Sequence, residues 1–338
     1  MVKRADLGAE ADPPAPTSVY FANPAPDVDF IHTGCTLLDC VIGGGYPTGR
    51  IVNIVGDKST AKSLLAIEAS ANFNLDYPGC PIWYNETESA FDVGYAEALG
   101  MPIDRITFPD PCFTVEDVYE HLVKCIDECG TSQHGLYIID SLDALSDRAE
   151  LGRDIDEGTF GAAKAKKMSE LFRRLVQKLE KSKITVLIIS QVRDNIGVTF
   201  GRKTTRSGGR ALDFYASQVI YLAHIKTLSR TKKKIARPTG IRIKAKCDKN
   251  KVGLPFRDCT FDVLFGYGID DLASCLSWLE TVHKLGDFTE EKAGAYLRSL
   301  DNVPQEEYQA VYDAVVATTR EAWQDIEISF LPTRKKYT

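Results

Sequence analysis

Arg50-Ile-Val-Asn-Ile-Val55, then Gly56-Asp-Lys-Ser-Thr-Ala-Lys-Ser63, then Leu64-Leu-Ala-Ile-Glu-Ala-Ser-Ala71 run without a break. The first piece reads as a buried strand, the second as a small-residue loop, the third as a helix. That succession is the context a phosphate-binding loop needs. Main-chain N–H groups of Gly56, Asp57, Lys58, Ser59, Thr60 and Ala61 cradle phosphates, and the helix N-terminus at Lys62, Ser63 and Leu64 favours their charge. In this reading Lys62 reaches the β- and γ-phosphates and the Ser63 hydroxyl ligates Mg2+. Ala61 stands where the pattern G-x-x-x-x-G-K-[S/T] has its second glycine, and alanine resists positive φ. The alternative is a strand–helix turn that merely contains Lys-Ser.

The rest of the chain is ordinary in composition. It has 338 residues, 44% hydrophobic and 26% charged, which suits one large domain with additions or two domains. A net charge of −6 provides no global basic field, so any nucleic-acid site must be a local patch. The nine cysteines form no C-x-x-C pair, and several lie in apolar runs as buried thiols do, which fits a reducing compartment. No signal peptide and no apolar run long enough to span a membrane is read.

Further parts of a nucleotide machine follow in order. Pro81-Ile-Trp-Tyr-Asn85 reads as a strand ending at Glu86 and Glu88. In open α/β sheets ligands bind at the carboxyl ends of strands, so one carboxylate, Glu88, is placed to polarise an attacking water. Gly135-Leu-Tyr-Ile-Ile-Asp140 is an apolar strand delivering Asp140 to the Mg2+ shell. Ile184–Ser190 is the next buried strand, and Gln191 at its tip is placed to sense a γ-phosphate. Beyond it, Val192–Arg210 combines Arg193, Asn195, Gly197, Val198, Thr199, Phe200, Arg202, Lys203, Arg206, Gly208, Gly209 and Arg210. Such a loop suits a nucleic-acid backbone: cations neutralise phosphates, glycine N–H groups bond them, and an apolar ring wedges between bases. The bland alternative is an exposed linker.

Around these parts, helices are expected at Val115–Cys129 and Ala162–Lys181, and an irregular loop at 151–161. Strands are expected at Gln218–Ile225, Gly240–Cys247 and Thr260–Phe265, antiparallel, with Lys226–Arg237 as an exposed turn. Helices follow at Leu272–Leu285, Thr289–Leu300 and Pro304–Trp323. The Pro- and Ala-rich residues 1–28 read as a tail in which Thr17–Ala22 is either a strand added to a neighbour's sheet edge or disordered.

The motifs Phe30-Ile-His-Thr-Gly34 with Leu38-Asp39, Gly49-Arg-Ile-Val52, the phosphate loop, Glu88-Ser-Ala-Phe-Asp92 with Tyr95 and Leu99-Gly100, Ile139-Asp-Ser-Leu-Asp-Ala-Leu145, Gln191–Gly201, Gly208–Ser217 and Lys249-Asn-Lys-Val-Gly-Leu-Pro-Phe256 keep the order and spacing of one family. Over residues 30–285 the chain resembles RecA-type recombinases, some features lying nearest the phage UvsX-like branch. The resemblance implies an α/β fold: a RecA-like P-loop core with a mixed, mostly parallel central sheet flanked by helices. It implies domains at 29–270 (core) and 271–338 (small, helical), with 1–28 as an oligomerisation tail. It assigns Glu88 as catalytic glutamate and Gln191 as the coupling residue, and places Asp92 and Tyr95 on the adenine. Lys249 and Lys251 reach a neighbour's ATP phosphates, Phe265 packs on a neighbour's nucleotide, and Phe214 lies at an interface. The segments 151–161 and 192–210 match the two DNA-binding loops. Thr199, Asp213, Ala61 and the short N-terminal segment depart from bacterial members.

The implied activity is ATP-dependent homologous recombination: a helical homo-oligomeric filament on single-stranded DNA, pairing with homologous duplex, strand exchange, and DNA-stimulated ATP hydrolysis with Mg2+. Single-strand-binding and loading proteins are the expected further partners, and the cytoplasm (a host's, if phage-encoded) the expected location. Competing readings are an ATP-binding scaffold or mediator with little hydrolysis, a hexameric helicase motor, and a nucleotide-binding core with no DNA role.

Overall fold

The computed structural model describes residues 28–110, 112–152, 161–194, 204–206 and 209–334. The expected strand within Thr17–Ala22, most of the 151–161 loop, residues 195–203 and 207–208, and the end of the basic tail lie outside them.

In chain order the elements are β1 (Phe30–Ile31), α1 (Thr36–Ile42), β2 (Tyr46–Pro47), β3 (Ile51–Gly56), α2 (Lys62–Asp76), β4 (Ile82–Glu86) and α3 (Val93–Ala98). Then come β5 (Ile106–Thr107), α4 (Val115–Cys129), β6 (His134–Asp140), α5 (Arg148–Leu151), α6 (Gly161–Leu179), β7 (Lys183–Asp194), β8 (Thr204–Arg206) and α7 (Gly209–Tyr215). The chain continues through β9 (Gln218–Lys232), β10 (Ile235–Asn250), β11 (Asp258–Leu264), β12 (Gly268–Asp270), α8 (Asp271–Thr281), α9 (Ala293–Ser299) and α10 (Gln305–Ser329).

The large sheet has the order β12-β11-β10-β9-β3-β7-β6-β4-β5, with β8 pairing β7. Its centre is parallel because both faces are buried and helices make the crossovers. Alternate residues of each central strand enter opposite cores. Val52 and Ile54 of β3, Leu136 and Ile138 of β6, and Leu187 and Ile189 of β7 join one cluster. Ile51 and Val55, Tyr137 and Ile139, and Val186 and Ile188 join the other. This period of two explains why the strands read as unbroken apolar runs. The second face is covered by α4 and α6. Helix α4 starts on a capping box between Thr114 and Asp117 and buries Val115, Val118, Leu122, Cys125, Ile126 and Cys129 along one stripe. Its two cysteines are therefore packing residues, and all nine cysteines are free.

Three expectations change. The exposed hairpin turn expected over Lys226–Arg237 is shorter than expected: β9 and β10 pair out to Lys232↔Ile235, leaving only Lys233 and Lys234 as the turn. Both have positive φ, 49° and 64°, the geometry of a two-residue hairpin turn normally signalled by Asn-Gly. With lysines there, the signal was silent. Secondly, β9 is antiparallel to β10 but parallel to β3 over residues 218–222, so it belongs to the parallel centre on one edge and the antiparallel wing on the other. Thirdly, the strand expected to stop at Ser190 runs to Asp194, so Gln191 lies within β7.

The helices after residue 270 are shorter or longer than their apolar pattern suggested. Helix α8 stops at Thr281, where His283 turns to positive φ, and α10 runs on to Ser329. They share the apolar cluster of the sheet: Leu272, Leu276, Leu279, Val315 and Ala322 are buried in it beside Leu38 and Phe261. A buried polar joint accompanies the packing. Asp271 accepts hydrogen bonds from Thr36 N and Oγ1, each 2.7 Å, and from Tyr312 Oη at 3.0 Å. No helix among the described residues is long and apolar enough to cross a membrane.

Candidate nucleotide-binding and hydrolysis site

The loop from Gly56 to Ser63 leaves β3 at its carboxyl end and enters α2. Gly56 admits no side chain, since a Cβ there would lie 2.3 Å from Thr60 Oγ1. The Asp57 carbonyl accepts from Thr60 Oγ1 at 2.8 Å and from Lys62 Nζ at 2.7 Å, while Asp57 Oδ1 accepts from Lys58 N at 2.7 Å. Ser59 and Ala61 both adopt the left-handed conformation, φ 58° and 64°. The glycine-like geometry is thus kept with alanine in place. Lys62 and Thr60 are buried, and Leu64 is buried in the core, so only its main chain faces the loop.

Burial lowers the Lys62 pKa, and the carboxylates of Asp140, Glu88, Asp57 and Asp143 pull it back up. Asp140, at the end of β6, is raised by burial, against which hydrogen bonds from Ser63 and Tyr84 lower it. The Tyr84 hydroxyl donates to Asp140 Oδ2 at 2.8 Å. Ser63 and Asp140 are therefore neighbours, and their hydroxyl and carboxylate oxygens suit the sparse protein ligation that Mg2+ takes alongside water and phosphate. No cluster of three or more His, Cys, Asp or Glu side chains able to hold a metal ion is found among the described residues.

The two carboxylates after β4 divide their work. Glu86 accepts from the main-chain N–H groups of Glu88 (3.0 Å), Ser89 (2.9 Å) and Ala90 (3.2 Å), and so builds the loop. Glu88 is free of that task. Its Oε1 receives Ser141 Oγ at 2.5 Å and Gln191 Nε2 at 2.7 Å. Thr87 ties the same loop to β6, its N–H donating to the Asp140 carbonyl and its hydroxyl to the Ser141 carbonyl, each 2.8 Å. Gln191 also lies opposite Gly56 in the β3–β7 register. Glu88, Gln191, Lys62 and Asp140 thus meet at the carboxyl ends of four adjacent strands.

Other expected residues sit apart from this meeting point. Asp92 caps α3 by accepting from Tyr95 N at 3.0 Å, and Tyr95 is partly exposed beside it. Phe265 is exposed in the turn between β11 and β12. The start of β12, just beyond, lies against the residue that ends α3 of the same chain, since a Cβ at Gly268 would meet Leu99 Cδ2 at 3.2 Å. Lys249 Nζ donates to the carbonyls of Asp213 (2.6 Å) and Phe214 (2.7 Å), and Lys251 Nζ to Phe214 O (3.4 Å). Both lysines thus hold the C-terminal end of α7, where cations are favoured, next to the exposed ring of Phe214. Of the expected DNA-binding residues, Arg193 is in β7, Arg206 in β8, and Gly209 and Arg210 open α7. Asn195, Gly197, Val198, Thr199, Phe200, Arg202, Lys203 and Gly208 lie outside the described residues.

Ser141 and Tyr84 were not singled out in the sequence. Ser141 adjoins Asp140, so its position was the available signal. Tyr84 lies on a buried strand, where a hydroxyl facing a carboxylate leaves no mark in the pattern.

A strand–loop–helix with a lysine and serine at the helix start, a strand-end aspartate and a hydrogen-bonded glutamate defines a P-loop nucleotide-binding protein. The family model of the RecA N-terminal domain matches residues 19–270. Protein RecA of Synechococcus sp. (strain CC9605) is 37% identical over 254 residues, 75% of this chain and 65% of that protein. Protein RecA of a Prochlorococcus marinus strain is 35% identical over 279 residues, 82% of this chain and 69% of that protein. The chain belongs to the RecA family. It spans about two thirds of the length of these relatives, 65% and 69%.

Proposed function

We propose that this chain is an ATP-dependent recombinase. It forms a homo-oligomeric helical filament on single-stranded DNA, pairs that strand with homologous duplex, exchanges strands, and hydrolyses ATP in response to DNA. The observation that carries the reading is the contact of Gln191 with Glu88 at the head of the basic segment 192–210. One side chain stands between the segment suited to DNA and the carboxylate suited to water activation.

In this reading Lys62 and the loop N–H groups hold the β- and γ-phosphates. Ser63 and Asp140 hold Mg2+, which supplies charge neutralisation on the phosphates. Ser141 and Gln191 both donate to one oxygen of Glu88 and orient its other oxygen toward the attacking water. Asp92 and Tyr95 take the base. Lys249 and Lys251, with Phe265, act at a subunit contact, where the lysines neutralise charge as an arginine finger does. Residues 1–28 serve oligomerisation, 29–270 form the ATPase core, and 271–338 form an accessory helical unit. A cytoplasmic location and single-strand-binding and loading partners complete the reading.

The test is ATP hydrolysis with and without single-stranded DNA, with negative-stain imaging of the same samples. Strong DNA stimulation with helical filaments is expected. Filaments without turnover favour the scaffold, rings with turnover favour the motor, and neither filaments nor a DNA response removes the proposal. In Lys62→Ala, retained turnover contradicts the assignment of the phosphate loop.

A further inference from the structure

Gln191 is held by both its side chain and its main chain. Its main-chain N–H donates to Asp143 Oδ2 at 2.6 Å, and Asp143 is 9% exposed. The geometry has a simple origin. Strand β6 pairs with β7 only as far as Ile139↔Ile188, whereas β7 continues to Asp194. Past that point β6 no longer pairs with β7. The 3-10 turn Leu142–Ala144 crosses there, and the Asp143 carboxylate supplies an acceptor.

The turn is pinned at both ends. Ser141 Oγ is bonded to Glu88. Ser146 exchanges main-chain hydrogen bonds with Phe113 and Val115, and Arg148 is clamped by Asp117 and Glu120, each at 2.7 Å. Asp143 is therefore held at a fixed place beside the end of β7.

We propose that Asp143 is a positioning residue for the hydrolytic site. By accepting the Gln191 main-chain N–H, it fixes the strand end from which that glutamine reaches Glu88. This rests on the reading of the chain as a DNA-stimulated ATPase. Asp143 acts through Gln191, not on substrate. Its charge also faces Lys62, so the test must separate acceptor from charge.

The experiment measures the ratio of ATP turnover with and without single-stranded DNA in the full chain, for wild type, Asp143→Ala and Asp143→Asn, alongside affinity for a fluorescent ATP analogue. Asparagine keeps an acceptor oxygen and loses the charge. Loss of one buried hydrogen bond predicts that Asp143→Ala lowers the stimulation ratio about tenfold, while Asp143→Asn stays within about threefold of wild type and analogue affinity within about twofold. Full stimulation in Asp143→Ala overturns the proposal, as does equal damage in Asp143→Asn, which assigns the effect to charge. If Asp143→Ala does not fold, amide hydrogen exchange decides: the Gln191 amide is expected to be as protected in the wild-type protein as its β7 neighbours, and free exchange overturns the proposal. A wild-type chain without DNA stimulation overturns the functional reading and this inference with it; a stimulated wild type with an equally stimulated Asp143→Ala overturns this inference alone.

Discussion

Ala61 and Glu68 show how far single residues depart from their ordinary states. Ala61 is held at φ 64°, a region that costs an L-residue about 1–2 kcal/mol and glycine nothing. Replacing it by glycine also frees the unfolded chain, which takes back about 0.5–1 kcal/mol. Ala61→Gly is therefore expected to raise Tm slightly, by about 1–3 °C, by thermal unfolding; a lowered Tm contradicts the strain. Glu68 on α2 is half-buried against the β12 main chain, accepting from Ile269 N at 3.2 Å, and that partial burial pushes its pKa up to about 7. A carboxyl raised above its unfolded value is stabilising when protonated. Its contribution is full below the unfolded value of 4.5 and is lost as pH rises through about 7. The loss is at most about 3 kcal/mol. In urea unfolding from pH 5 to 8, Glu68→Gln is expected to flatten the decline and to be the more stable form at pH 8. Parallel pH profiles contradict this. Asp39, also raised to about 7, and Asp271 and Asp140, also raised, act in the same direction in both proteins. The difference between profiles therefore reports Glu68 together with its repulsion of Asp271.

At the scale of elements, the parts with strong local signals were legible. The run Ile51–Val55 followed by small residues could hardly be anything but a buried strand and a tight loop, because no solvated element tolerates that run. The stripe in Val115–Cys129 gave α4 its full extent. What stayed hidden was decided by long-range contacts. The Lys233–Lys234 turn carries none of the residues its geometry favours. Glu88 was singled out over Glu86 in the sequence, but the reason Glu86 is not the candidate catalyst was not: Glu86 accepts from main-chain N–H groups of its own loop, Glu88 from the Ser141 and Gln191 side chains. Asp143 is one more acid after a strand until β7 is seen to outrun β6. The joint at Asp271, linking α8 to α1 and α10, is likewise invisible locally. Asp271→Ala leaves Thr36 N–H and two hydroxyls without their acceptor, at a cost of about 2–4 kcal/mol. A lower urea midpoint and faster proteolysis within α8–α10 are expected; an unchanged midpoint and cleavage rate contradict the joint's role.

For the whole molecule, the arrangement gathers Lys62, Glu88, Asp140 and Gln191 at the ends of β3, β4, β6 and β7. The antiparallel wing β9–β12 and helices α8–α10 extend one side of the same sheet. Lys249, Lys251 and Phe214 lie away from the meeting point of Glu88 and Gln191, in keeping with their proposed use between subunits. On this account a monomer binds nucleotide but turns it over slowly, and assembly on DNA completes the site. The most direct test is ATP hydrolysis by the wild-type chain and by Glu88→Gln, each with and without single-stranded DNA. Strong stimulation of the wild type, and loss of at least about a hundredfold in the stimulated rate of Glu88→Gln with nucleotide binding retained, is the predicted result. Wild-type turnover indifferent to DNA, or a Glu88→Gln variant that hydrolyses ATP at the wild-type stimulated rate, contradicts it.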